Sequence, residues 1–94
     1  MKNQSMGLMR TDLSGANLSG ANFSNADLAR SLMRFANLKG AILSGAILSG
    51  VDLSGADLTG ADATEADLSA AILTNARGLD TMKGLEAAQL PLRR

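Results

Sequence analysis

Residues 36–70 read ANLKG AILSG AILSG VDLSG ADLTG ADATE ADLSA, one five-residue phrase said again and again. A period of five suits neither regular element. An α-helix turns about 100° per residue, so leucines five apart step roughly 140° around the axis and never form an apolar stripe. Glycine at 40, 45, 50, 55 and 60 would cost such a helix about 1 kcal/mol each. A flat strand fails because five is odd, which would send alternate leucines to opposite faces. A chain that bends once per repeat keeps every leucine inside. Stacking such turns of backbone at the strand-to-strand spacing of about 4.8 Å gives a solenoid.

Working outward from this run, the register extends back through TDLSG, ANLSG, ANFSN and ADLAR and weakens at SLMRF. The central apolar residue of each repeat is its hub: Leu8, Leu13, Leu18, Phe23, Leu28, Met33, Leu38, Leu43, Leu48, Leu53, Leu58, Ala63, Leu68 and Leu73. Two residues earlier sits a small one, Ala in most repeats, with Thr11, Ser31 and Val51 as variants. Both sets are expected to point inward as the structural core. The residue before the hub is mostly Asp or Asn, and the two after it are mostly Ser or Thr and then Gly. These are turn formers, expected at the surface.

Composition narrows the function. Nine basic and nine acidic residues cancel, which removes the long-range field of a nucleic-acid binder. The 94 residues make one domain and include two Phe but no Trp, Tyr, His or Cys. That excludes thiolate metal sites and disulfides, and it leaves general-base work to Lys, Asp or Glu. No apolar run reaches signal-peptide or membrane-span length, so a cytoplasmic protein without a membrane partner is expected.

The phrases ANLSG, ADLAR, ANLKG, VDLSG, ADLTG and ADLSA resemble the pentapeptide repeat family, whose motif is A(D/N)LXX, over roughly Met6 to Ala76. The resemblance implies an all-β fold, a right-handed quadrilateral parallel β-helix with four repeats and twenty residues per coil. The number four does not follow from the period. Departures from the motif are Leu32, Ile42, Ile47 and Ile72 in place of Asp or Asn, Ala63 as a small hub, and Gly7 and Arg77 at the ends.

With twenty residues per coil, Leu8, Leu28, Leu48 and Leu68 form one hub column. Leu13, Met33, Leu53 and Leu73 form a second, Leu18, Leu38 and Leu58 a third, and Phe23, Leu43 and Ala63 a tapering fourth. A void at Ala63 is one outcome of the taper. No two aspartates are neighbours in any column before the hubs. Instead Asp52, Asp57, Asp62 and Asp67 form a ring, one per face of a single coil. Divergent carboxylates of that kind cannot share a metal or act as a catalytic pair. The serines have no base beside them. The expectation is therefore no enzyme, no cofactor and no metal. Arg10 and Arg30 stack, with Arg34 and Lys39 nearby, and are read as a solvated basic face.

Leu32, Phe35, Ile42 and Ile47 take outward positions within about one coil, on more than one face, and are the candidate interaction residues for an unknown protein partner. Three segments are expected: a disordered lead over residues 1–5, the β-helix over 6–77, and a C-terminal α-helical cap with its tail over 78–94. Within the last, residues 81–90, TMKGLEAAQL, read as the short helix, because Leu79, Met82 and Leu85 lie at roughly helical spacing before Pro91. The amino end has no such cover, which suggests a homodimer joined through the N-terminal coil, with Met6 and Met9 at the junction. The sequence thus predicts a structural or protein-interaction module. Two alternatives stand beside it: a DNA mimic that binds a topoisomerase such as gyrase, which the family resemblance allows, and a fragment or idealised repeat chain with no evolved partner.

Overall fold

Each repeat builds one short straight edge and one corner. At the corner, the hub carbonyl accepts the N–H three residues on, as from Ala16 to Leu13 (3.1 Å), Ala41 to Leu38 (3.0 Å) and Ala61 to Leu58 (3.0 Å). The residue before that donor has positive φ, for example 65° at Gly40 and 72° at Gly60, which with this bond defines a type II turn. The Asp or Asn ahead of the hub braces the corner. Its Oδ1 accepts the N–H two residues on, at 3.0 Å from Ser14 to Asp12 and 2.9 Å from Ser24 to Asn22.

These edges stack in parallel. The structure, a computed structural model that describes residues 10–91, pairs Asp12 with Leu32, Asn17 with Asn37, Asn22 with Ile42 and Asp27 with Ile47, and repeats each pairing one coil later. Pairs twenty residues apart on four successive edges define four faces and four repeats per coil. Hub N–H groups reach forward to the next coil, as from Leu48 to the Asp67 carbonyl (2.8 Å), and the residue before the hub reaches back, as from Ile47 to Ala26 (2.8 Å). The corners are laddered as well, with Gly15 N–H donating to the Arg34 carbonyl at 2.8 Å. Backbone polar groups around the core are thus paired between coils.

Inside, the columns are dry. Met33, Leu38, Leu43, Leu48, Leu53, Leu58 and Ala63 are at most 1% exposed, and Ala36, Ala41, Ala46, Val51, Ala56, Ala61 and Ala66 fill the space between them. At about 1.5–3 kcal/mol for each buried leucine, the hub columns are the main favourable term. Ser31 is the one buried polar residue among the described residues, and its hydroxyl is satisfied by donating to the Leu28 carbonyl at 2.8 Å. Leu13, Leu18, Phe23, Leu28 and Leu73, in the outer coils, are partly buried. The lead over residues 1–5, Met6, Leu8 and Met9, and the tail from residue 92 lie outside the described residues.

The α-helical cap expected over residues 81–90 is replaced by a continuation of the coil. Among the described residues the helical segments are two 3-10 turns, Leu79–Thr81 and Leu85–Ala87. Asp57 still pairs with Arg77, but Asp62 pairs with Lys83 and Asp67 with Gln89, so one residue is added at each of two corners. Each addition follows a glycine in the hub position, Gly78 with φ 80° and Gly84 with φ 75°, and their left-handed backbone keeps an α-helix from running through. Thr81 splices the irregular corner onto the regular coil below. Its hydroxyl lies 2.7 Å from the Gly78 carbonyl and 2.9 Å from the Gly60 N–H.

Candidate interaction surface

The faces carry one residue per coil and the corners two, so the surface is a lattice of short columns. Of the four residues singled out from sequence, Phe35 is 73% exposed, Ile42 and Ile47 are exposed, and Leu32 is half-buried. The pairings put Leu32, Ile42 and Ile47 on three different faces. Ile42 and Ile47 flank one shared corner, at Ser44 and Gly45. Phe35 stands on the diagonally opposite corner, in the column of Gly15 and Gly55. The structure therefore divides the set in two. Ile72 is exposed on the face of Leu32, with Asp52 between them.

The corner columns show an interleaving that the sequence reading missed. At three successive corners a non-glycine residue with positive φ lies over a glycine in the next coil: Asn25 over Gly45, Arg30 over Gly50 and Phe35 over Gly55. A Cβ on Gly50 would stand 3.1 Å from Arg30 Cγ, and one on Gly55 would stand 2.5 Å from Phe35 Cε1. At Gly15, Gly20, Gly40 and Gly60 a Cβ would meet nothing within 4 Å. The signal was available at a spacing of twenty, in the pairs 25 and 45, 30 and 50, and 35 and 55.

Charge is arranged in layers. The ring of Asp52, Asp57, Asp62 and Asp67 lies over Leu32, Asn37, Ile42 and Ile47 and under Ile72, Arg77, Lys83 and Gln89. Hydroxyls of Ser54, Thr59, Thr64 and Ser69 each donate to their aspartate at 2.6 Å, and these bonds, more than any cation, hold the four carboxyls below the ordinary carboxylate range. Arg34 Nε lies 3.4 Å from Asp52, and Asp57 sits between Lys39 (4.0 Å) and Arg77 (3.7 Å). The basic group read from sequence is thereby split. Arg34 and Lys39 pair with acids, while Arg10 runs along the stack to donate to the Arg30 carbonyl at 2.5 Å. Among the described residues no three acidic, His or Cys side chains converge as a metal site.

A family model for pentapeptide repeats matches residues 8–50 and 36–75, with eight copies in all. The chain belongs to the pentapeptide repeat family. Proteins of this family fold as right-handed β-helices, which supplies the hand of the coil. Among solved structures, this pentapeptide repeat chain is similar to Rfr23 from the cyanobacterium Cyanothece 51142, at 27% identity, 84% of this chain, 63% of that one and a TM-score of 0.39. It is similar to HetL of the cyanobacterium Nostoc, a pentapeptide repeat protein involved in heterocyst differentiation regulation, at 37% identity, 84% and 40% coverage and a TM-score of 0.37. A pentapeptide repeat protein of the Arabidopsis thaliana thylakoid lumen shares 34% identity over 97% of this chain and 75% of its own, with a TM-score of 0.34. The chain spans less than two thirds of the length of the first two. No curated protein matches it.

Proposed function

We propose that this pentapeptide repeat chain is a non-enzymatic scaffold that displays apolar side chains to a protein partner, with Phe35 as the principal contact. Phe35 carries the reading. It holds φ 59°, a conformation that bulky residues adopt at a cost and that glycine fills at the same corner of the neighbouring coils, and its ring is 73% exposed. A strained, solvated aromatic that adds nothing to the core is the kind of outlier from which a binding role is inferred. Ile42 and Ile47 supply a second, separate apolar contact. A photo-crosslinking phenylalanine at position 35 should capture one partner from lysate, and the same probe at Lys39 should not. Capture by the same probe at Ile42 or Ile47, but not at position 35, would move the contact to the opposite corner.

A homodimer through the first coil belongs to the same proposal. Leu13, Leu18, Phe23 and Leu28 are only partly buried, whereas the hubs of the following coil are covered. Sedimentation should show a dimer that Leu13→Lys converts to monomer. The charge layers do not favour DNA mimicry, because no face carries aspartate in two successive coils. Micromolar protein is expected to leave gyrase supercoiling unaffected.

A further inference from the structure

At the carboxyl end of the described coil lies an apolar cavity of about 510 Å³. Its walls come from the last coil, chiefly Leu73, Leu79, Leu85 and Leu90, and its floor includes Leu58 and Leu68 of the coil beneath. At one point it goes deeper and reaches Leu43, two coils down. Above Leu43 stands Ala63, a small hub, and the pairing of Asp62 with Lys83 puts Gly84 above Ala63, with the leucine that follows it, Leu85, in the wall. On the neighbouring face Gly78 stands over Leu58, and the leucine that follows it, Leu79, is also in the wall. The two six-residue repeats also give this coil two more residues than the regular twenty.

We propose that this bowl is a binding site for a small uncharged molecule with a hydrocarbon body. The lining side chains are Leu, Met, Ala and Pro, so an ionised or strongly polar ligand would lose its hydration and gain no side-chain partner. The volume falls within the range of about 300–1,000 Å³ typical of small-molecule sites. It is also about three times the roughly 150 Å³ apolar cavity that stays dry and takes up benzene. Shape selects a small molecule over a second copy. Two bowls set mouth to mouth would enclose a doubled void and not fill either one, and unfilled apolar volume forfeits dispersion contacts.

The test uses the full chain and the neutral dye N-phenyl-1-naphthylamine. Expected is saturable fluorescence with one dye per chain, displaced by 1-decanol if the site fits a linear chain and by naphthalene if it fits fused rings. Ala71→Leu adds bulk to a lining position and should weaken dye binding at least tenfold while circular dichroism is unchanged. If Ala71→Leu fails to fold, Ala71→Met narrows the same wall and gives the same readout. Dye binding that is absent, or that survives both substitutions in folded protein, overturns the proposal. So does a dimer that excludes the dye and is broken by Leu90→Asp, which would give the bowl to a second copy.

Discussion

The ring of Phe35 lies over the α-carbon of Gly55, one coil on, so that a methyl group there would stand 2.5 Å from Phe35 Cε1. Gly55 therefore answers two demands, a left-handed corner at φ 69° and a seat for an aromatic ring. Gly40 answers only the first, since space around it is open. Gly40→Ala is expected to cost about 1 kcal/mol, the conformational penalty alone. Gly55→Ala should cost more, because the ring must also swing off its seat. The excess should vanish in a Phe35→Ala background, and a double-mutant cycle by urea denaturation measures it. Equal costs for the two alanines would show that the ring moves freely.

Leu48 sits in one column between Leu28 and Leu68 and is 1% exposed. Leu48→Asp buries a carboxylate with no partner and removes a hub, and the expected outcome is a chain that does not fold cooperatively. Circular dichroism melting checks it. A melting temperature near that of the parent would contradict the column packing.

The regular coils were legible because each position answers a single local demand. Leu48 is a hub and Ala46 its small companion whatever lies around them, and a period of five exposes both. The last coil was misread for a physical reason. Leu79, Met82 and Leu85 are three residues apart, which imitates a helix face, whereas the informative pattern is the six-residue pair RGLDTM and KGLEAA over residues 77–88. In that pair glycine takes the hub position and the leucine after it packs against the core. The candidate contact residues were legible as outward-facing, since Phe35, Ile42 and Ile47 break the motif. That they divide between opposite corners depended on the count of four per coil, which the period alone does not contain.

The acidic ring makes stability depend on acid in a definite direction. Asp52, Asp57, Asp62 and Asp67 have carboxyls held below their ordinary range, first by the neighbouring hydroxyls of Ser54, Thr59, Thr64 and Ser69. Carboxylates depressed in the folded state stabilise it fully above the unfolded value of about 3.9, and the contribution is lost as pH falls through the lower folded values. The melting temperature should be level from about pH 7 to 5 and fall below about pH 4. Asp67→Asn can still accept the Ser69 N–H but carries no charge to lose, so its acid limb should be shallower. A parent protein whose melting temperature holds at pH 2 would mean the ring is energetically idle.

Gly78 and Gly84 hold the irregular coil against the regular one, and here the neighbour is backbone. A Cβ on Gly78 would lie 2.5 Å from Thr59 N and 2.6 Å from Thr59 Cα, and one on Gly84 would lie 2.6 Å from Thr64 Cα. Thr59 cannot yield, because its carbonyl accepts Gly40 N–H at 2.9 Å and its own N–H is held by Asp57 at 3.1 Å. Gly78→Ala therefore combines a left-handed penalty with a clash that no side-chain rotation relieves, and a loss of about 3 kcal/mol or more is expected. In a solenoid each coil rests mainly on its neighbours, so the damage should stay local. Hydrogen exchange reads this directly. The amides of Leu58, Ala63 and Leu68, which bond to the carbonyls of Arg77, Lys83 and Gln89, should lose protection in Gly78→Ala, while those of Leu38 and Leu43 keep it. Unchanged protection at Leu58 would mean that the last coil is not seated on the one below it.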